Sequence, residues 1–295
     1  MRRRDILVFP AAALSARPRT IAPLGEATTF HWEEQWDKPF LHPIRTISGT
    51  VLSRGYPVAP LPGEQQDHAW HRGIWYGHGI INGQDFWREQ GREKTSRLIP
   101  DGKPRAGKNS VEARLAMTAP GGTRLGTNIQ RFTVLDRAPL RFIDASISIL
   151  ADQGQALTFG DTDDGGFAFR LNDQFREDRG ALLRNAEGKE GTKNIWGKPA
   201  RWVHYEAAVE GTRAGVAVLD HPSNLRHPTQ WHARGYSLCS ANPFAAKSFD
   251  KNSVTDGKFT LDAGRELQLR YRVVIHDGPL DSAAIDGLFD AWAKT

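Results

Sequence analysis

Apolar and polar residues alternate with a period of two along much of the chain. In residues 266–275, Leu267, Leu269, Tyr271, Val273 and Ile275 share one face, and glutamate, glutamine and arginine fill the other. Residues 141–150 repeat this pattern. Because successive side chains of a strand point to opposite faces, the alternation predicts antiparallel strands with one buried and one solvated side.

Further strand candidates recur at short intervals with Gly, Pro, Asn or Asp between them. They are residues 46–52, 73–81, 111–117, 129–135, 201–209, 215–219 and 236–240. Residues 157–159 and 167–169 flank Asp163-Asp164-Gly165-Gly166, which predicts a hairpin. So many strands without intervening helices predict an all-β fold: a large antiparallel β-sandwich, formed as a single domain by residues 21–280.

The C-terminal segment, residues 281–295, changes to a helical period. Ala284, Ile285, Leu288, Phe289 and Trp292 recur at helical spacing, and Asp281 or Ser282 can cap the first turn. The pattern predicts a short C-terminal helix that packs on the sandwich.

Residues 1–16 have the anatomy of a bacterial export signal. A basic cluster precedes a short apolar stretch that ends in small residues, and residues 3–7 resemble a twin-arginine signal. The alternative is an ordinary basic terminus on a buried helix, but Pro10 interrupts the apolar stretch. We therefore expect a periplasmic or secreted protein.

Charge and composition narrow the function classes. The 295 residues carry a formal charge of only +5, spread along the chain, which argues against nucleic-acid binding. No apolar run reaches the roughly 20 residues of a membrane-spanning helix. Cys239 is the single cysteine, so no internal disulfide can form.

The first candidate site is the segment Asp67–Gly79, which reads DHAWHRGIWYGHG. His68, His71 and His78 suit proton transfer or a divalent metal, while Arg72 and Trp75 suit hydroxyl or carboxylate binding and sugar stacking. The alternative is a set of core-edge histidines satisfied by backbone carbonyls. On the strand itself, His78 shares a face with Tyr76 and lies opposite Trp75.

The second candidate site is the polar segment 220–236. His221, Asn224, His227, His232 and Arg234 lie in it, and His232, Arg234 and Tyr236 alternate onto one face. A structural loop bounded by Pro222 and Pro228 explains its turns but not this polar row. We therefore expect part of the segment to bind substrate.

Carboxylates complete the set of candidates. Asp161 and Glu187 are candidate general bases or hydroxyl acceptors, whereas turn formation accounts for Asp163 and Asp164. His204 shares a strand face with Glu206, which we interpret as an exposed polar face. The sequence contains no HExxH helix, Walker loop, GxSxG elbow or dinucleotide-binding glycine pattern.

Several of these segments together resemble the bacterial family labelled methane oxygenase PmoA, also treated as a domain of unknown function. The matching stretches are His42-Pro43-Ile44-Arg45-Thr46, Asp67–Trp87, Phe159-Gly160-Asp161-Thr162, Asn185-Ala186-Glu187-Gly188, Trp196-Gly197-Lys198, Asp220-His221-Pro222-Ser223-Asn224, Trp231-His232-Ala233-Arg234-Gly235 and Ala241-Asn242-Pro243-Phe244. The resemblance implies a β-sandwich in the style of sugar-mutarotase folds and, through gene neighbourhoods, a carbohydrate ligand. It adds Asn242 to the substrate-binding candidates.

Three functional hypotheses follow. The first is an exported enzyme that acts on a saccharide or oxidised sugar: His71 and His78 carry protons with His68 and His232, Asp161 or Glu187 is the base, and Arg72 and Arg234 hold hydroxyls or a carboxylate. The second is a non-catalytic carbohydrate-binding protein. The third is a metal-dependent oxygenase or hydrolase, with His68, His71 and His78 as ligands of a divalent metal. The sequence specifies neither a cofactor nor an oligomeric state.

Overall fold

A computed structural model describes residues 20–91 and 93–295. Its strands in chain order are β1 (Ile21–Leu24), β2 (Thr28–His31), β3 (Phe40–Leu41), β4 (Ile74–His78), β5 (Arg97–Pro100), β6 (Arg105–Ala106), β7 (Ser110–Thr118), β8 (Arg124–Arg137), β9 (Leu140–Leu150), β10 (Leu157–Phe159), β11 (Gly165–Arg170), β12 (Leu182–Asn185), β13 (Trp202–Val209), β14 (Thr212–Asp220), β15 (Gln230–Ala233), β16 (Leu238–Asn242), β17 (Phe259–Leu261) and β18 (Glu266–Asp277). The helices are α1 (Thr192–Ile195), α2 (Ala246–Phe249) and α3 (Ser282–Trp292), with 3-10 turns at Asp173–Phe175 and Glu177–Arg179.

Sixteen strands form two large antiparallel sheets, and β10 and β17 form a separate two-stranded sheet, which confirms the predicted fold class. One sheet has seven strands in the order β1-β2-β3-β4-β11-β16-β15, and the other has nine, with the main order β12-β13-β14-β18-β9-β8-β7-β5 and β6 paired to β7. The strongest alternation of the sequence lies at the centre of the larger sheet, where β18 pairs with β9 and β14.

The two sheets pack face to face through their inner sides. Phe167 of β11 stacks on Tyr271 of β18 at 4.7 Å, and Phe169 meets the ring of Tyr205 on β13 at 5.5 Å. Both pairs belong to one continuous core of buried side chains drawn from both sheets. The period-two pattern therefore marks the inner faces of the sandwich.

The predicted hairpin around Asp163–Gly166 is wrong. β10 pairs with β17, while β11 pairs with β4 and β16. Gly166 has φ +95°, and a Cβ there would lie 1.9 Å from the carbonyl oxygen of Ala241, so glycine permits the close approach of β11 to β16. Residues 46–52 also form no strand, because only the bridge between Arg45 and Val51 is present.

Both sheets bury aromatic side chains on their outer faces as well. Ile285, Phe289 and Trp292 of α3 pack on the outer face of the nine-stranded sheet, and the Asp281 carboxylate accepts from Ala284 N, which confirms the C-terminal helix and its cap. The outer face of the seven-stranded sheet buries Phe40, Trp75, Trp87, Ala168 and Leu238 under connecting segments.

Among the described residues, no helix is long and apolar enough to cross a bilayer. The export signal expected over residues 1–16 lies outside the described residues, and it stays a prediction.

Candidate functional site

Four rings stack in nearly parallel order above the outer face of the seven-stranded sheet. The ring centroid of His71 lies 5.2 Å from that of Trp75 on β4. The His68 centroid lies 4.9 Å from that of His71, and the Tyr236 centroid lies 6.0 Å from that of His68. The first three rings come from the first sequence cluster and Tyr236 from the end of the second. The two clusters therefore meet on this face, at a separation of more than 160 positions along the chain.

A buried arginine fixes the backbone of the histidine segment. The buried Arg54 guanidinium donates to the carbonyl oxygens of Asp67, His68 and His71 at 2.7, 2.9 and 3.1 Å. Backbone geometry supports the same shape: His68 has φ 43°, and His71 N donates to His68 O at 3.0 Å. Arg54 thus holds the two imidazoles in their stacked positions.

Asp67 links this scaffold to the exposed imidazole. One carboxylate oxygen accepts from Arg54 at 2.7 Å and from Arg170 at 3.0 Å, and the other accepts from Nδ1 of His68. Burial alone would raise the pKa of Asp67, but Arg170, His68 and Arg54 outweigh it and lower that pKa. An ionised Asp67 orients His68, whose ring is 42% exposed and whose Nε2 has no hydrogen bond among the described residues.

His71, directly beneath, is buried without a hydrogen bond on either ring nitrogen among the described residues. Burial, followed by the charge of Arg170 and then of other nearby cations, holds its pKa well below the ordinary value, so the imidazole is neutral. The indole nitrogens of Trp75 and Trp87 beside it are also buried and unpartnered within the described chain. Unpaired polar atoms at this depth are uncommon and call for an explanation.

The second sequence cluster supplies a rim of paired charges. His232 Nδ1 donates to Asp163 O at 2.6 Å, and its Nε2 accepts from Arg234 Nε at 2.8 Å. Arg234 also donates to the Asp163 carboxylate at 3.3 Å. Burial lowers the pKa of His232 to about 4, so the ring is neutral and positions Arg234.

Arg72 is buried at the outer face of the seven-stranded sheet. Its guanidinium lies 4.3 Å from the ring centroid of Trp36, donates to Ala69 O at 2.9 Å and forms an ion pair with Glu89. Lys38 contacts the same Glu89 at 3.2 Å and donates to Trp87 O at 2.7 Å.

Three predicted site residues lie elsewhere near the seven-stranded sheet. His78 points to the inner face, where Nε2 bonds Gly160 O at 2.9 Å and the ring meets Phe244. Asp161 accepts from the backbone N–H groups of Lys247, Ser248 and Gly257, and the amide of Asn242 donates to Thr162 O and Asp163 O. These contacts fix the local chain.

Four more predicted site residues lie beside the nine-stranded sheet: Glu187, His221, Asn224 and His227. Buried Asp220 accepts from Asn224 at 2.7 Å and from His227 at 2.8 Å, while His221 and His227 contact Trp292 and Phe289 of α3. Glu187 is exposed in the turn after β12. None of these four lies beside the stacked rings.

The three histidines proposed as metal ligands do not form one group, because β4 directs His78 and Trp75 to opposite faces. The residues present therefore do not fit a centre made of His68, His71 and His78. Among the described residues, ligand atoms within 4.8 Å of one another occur at His204, Glu206 and His276.

His204 and Glu206 are buried, so the exposed face expected for them is wrong. Arg184 Nε donates to His204 Nδ1 at 3.1 Å, the two histidines share a hydrogen bond between their Nε2 atoms at 2.9 Å, and His276 Nδ1 donates to Gly278 O at 2.7 Å. Each ring nitrogen of His204 and His276 therefore has a hydrogen-bond partner within the protein. A Cβ at Gly215 would lie 2.3 Å from His276 Nε2, so glycine makes room for it.

Sequence reasoning missed several residues of the site. Asp67 stands beside His68, and Tyr236 alternates with Arg234, so both had a local signal. Asp163 was assigned to a turn. Arg54 and Arg170 had no signal, because nothing local indicates that they reach residues 67–71.

A family model with the description "family of unknown function (DUF6807)" matches residues 25–290. That match agrees with the unknown-function part of the resemblance and gives no support to the PmoA label. No curated protein matches the sequence.

Similar solved structures include an Escherichia coli K12 protein provisionally described as an aldose 1-epimerase, with 13% identity, TM-score 0.37 and coverage of 88% of this chain and 99% of that one. Others are a polysaccharide lyase (14%, TM-score 0.37, 88% and 32%) and the GH36 α-galactosidase AgaB of Geobacillus stearothermophilus (9%, TM-score 0.34, 92% and 42%). The chain spans less than half the length of these last two. TM-scores this low support no conclusion about the present site, which is interpreted from its own geometry.

Proposed function

We propose a function from the site alone, because the chain belongs to the family of unknown function DUF6807 and that membership assigns no reaction. The outer face of the seven-stranded sheet binds a saccharide, and His68 performs acid–base chemistry on it.

The observation that carries the proposal is the Asp67–His68 pair. Asp67 is fixed by two buried guanidinium groups and accepts from His68 Nδ1, which leaves Nε2 of a 42% exposed imidazole directed away from its anchor. An imidazole oriented in this way by a carboxylate can take a proton at Nε2 and return it.

The surrounding rings supply the binding surface. Trp70 meets His68 edge-on at 5.3 Å, and the ring of Tyr236 lies nearly parallel to that of His68 at 6.0 Å. Flat aromatic faces beside hydrogen-bond donors match the alternating C–H faces and hydroxyl edges of a sugar ring. Arg234, 34% exposed at the rim, offers a fork for hydroxyl or carboxylate oxygens.

The test starts with conversion of a saccharide panel by the purified protein, followed by proton NMR so that epimerisation is also detected. Substitution His68→Gln is expected to lower turnover by about 10²–10⁴-fold, the usual contribution of one proton-transfer group, with little change in melting temperature.

The matched control is His276→Gln, an imidazole on the opposite sheet. It is expected to lower the melting temperature because it breaks the His204–His276 bond, and to retain turnover per folded molecule. Full turnover in His68→Gln would overturn the catalytic assignment.

A second candidate is a non-catalytic saccharide-binding protein. The buried, unpartnered indole N–H groups of Trp75 and Trp87 favour it, because they suit recognition without proton transfer. Saturable binding with no product in any NMR spectrum would support this candidate against the first.

A further inference from the structure

A layer of buried charge lies beneath the stacked rings, and it is not balanced. Four cationic side chains, Lys38, Arg54, Arg72 and Arg170, are at most 4% exposed. Two carboxylates form ion pairs with them: Glu89 with Lys38 and Arg72, and Asp67 with Arg54 and Arg170. The layer thus carries an excess of two positive charges, which is costly away from water.

Neighbouring carboxylates are engaged elsewhere. Asp37 forms an ion pair with Arg97 at 2.9 Å, and Glu33 bonds His31 at 2.9 Å. At the rim, Asp163 forms an ion pair with Arg234, and Asp164 forms one with Arg88. Arg88 also pairs with Asp85 at 3.3 Å, so the rim adds no positive charge, and the positive excess belongs to the buried layer.

The unpartnered polar atoms of the same region are almost all donors. They are the indole N–H groups of Trp36, Trp70, Trp75 and Trp87, Nε of Arg54, Nη1 of Arg72, and Nε and Nη1 of Arg170. Among the described residues, the acceptors beside them are neutral His71 and Oδ1 of Asp173, whose carboxylate pairs with Arg179 at 3.5 Å. The complementary ligand therefore brings acceptor oxygens.

His71 lies between the two charged groups. Arg54 donates to His71 O at 3.1 Å, and Lys38 donates to the backbone oxygen of Trp87, whose indole lies 5.7 Å from the His71 ring. Besides burial, Arg170 and these two cations lower the pKa of His71. An anion beside His71 would meet both groups at once, whereas a metal cation would be repelled by them.

We infer that this layer binds the carboxylate of an acidic saccharide, of the hexuronate class. The inference rests on the proposed saccharide site and names its substrate class. The sugar ring lies on the aromatic surface beside His68, and the carboxylate compensates the excess charge and accepts from the free donors.

The test compares ligands that differ only at the carboxylate. Dissociation constants are measured by calorimetry for glucuronate, glucuronamide and glucose, and for galacturonate and galactose, with the full chain. The uronate is expected to bind about 10- to 100-fold tighter than its amide or its neutral sugar, as expected for hydrogen bonds to a charged group. Equal or tighter binding of the neutral partner would overturn the inference and leave the saccharide function standing.

Substitution Lys38→Met, of similar length, removes one unit of excess charge and is expected to reduce the preference for uronate about ten-fold. Arg105→Gln, 88% exposed in its ion pair with Glu112, is the control and should keep the full preference. If Lys38→Met does not fold, the amide comparison in the unmodified protein still decides the matter. If neither acidic nor neutral sugars bind, the saccharide function itself fails.

Discussion

Each sheet of the sandwich buries a polar cluster on its outer face, and the two clusters differ in how completely their atoms are paired. On the outer face of the nine-stranded sheet, His204 and His276 use all four ring nitrogens, and at the end of β14 both Asp220 oxygens also accept hydrogen bonds. On the seven-stranded sheet, His71 and the indoles of Trp75 and Trp87 have no partner among the described residues.

This difference separates two uses of buried polarity. A fully paired cluster gains local order and holds α3 and the chain around β14 in place. A cluster left unpaired costs stability, so it persists where it has another use, such as binding a ligand. The number of histidines in a sequence segment does not show whether they form a paired structural cluster or an unpaired cluster that binds a ligand.

Acid is expected to have the largest effect, because burial lowers the pKa of histidines on both sheets, including His204 and His276 of the nine-stranded sheet. Burial lowers the pKa of His42, His78 and His232 to about 4, against an ordinary value of 6.5. Between these values the unfolded chain binds protons that the folded chain does not, so stability is full above pH 6.5 and falls as pH drops toward 4. The loss is of order 3 kcal/mol for each histidine.

Melting temperatures from pH 8 to 4.5 check this window. His78→Gln keeps a donor for Gly160 O and is expected to flatten the acid slope by about one proton. A slope unchanged by that substitution would show that His78 does not titrate on unfolding.

Removal of Asp220 is expected to have the next largest effect. The change Asp220→Ala strands the donors of Asn224, His227 and Thr229 N in a buried site and should cost about 3 kcal/mol or more. Asp178→Ala, which removes an exposed partner of Arg176, should leave the stability nearly unchanged. Urea unfolding measures both. A small loss for Asp220→Ala would contradict the structural assignment of this cluster.

Much of the fold could be predicted from local pattern. The alternation of residues 266–275 and the helical spacing after Asp281 both depend on one buried face, and both elements are present. The false hairpin arose because Gly165 and Gly166 imitate a turn, whereas their lack of side chains serves contacts with His78 and Ala241 across neighbouring strands.

The candidate site could be predicted only in part. The segment 68–75 and residues 232–236 do meet on one face, but local sequence does not say which histidines of a segment share it. His221 and His227 lie in the same polar segment as His232, yet the chain crosses from the nine-stranded to the seven-stranded sheet between His227 and His232. Arg54 and Arg170 reach Asp67 only through tertiary packing, so no spacing signals them.

Substitution of two buried tryptophans is expected to have the smallest effect on stability and to give the most selective test. Trp75 and Trp231 are both at most 1% exposed, but Trp231 Nε1 donates to Ala200 O at 2.8 Å, and Trp75 Nε1 has no partner in the described chain. Trp231→Phe should cost about 1–3 kcal/mol more than Trp75→Phe, because it also leaves a buried carbonyl unpaired. Trp75→Phe should instead weaken saccharide binding by about ten-fold. If both variants lose equal stability and Trp75→Phe binds as before, the unpaired cluster has no role in recognition, since its donor can be removed without consequence for the ligand.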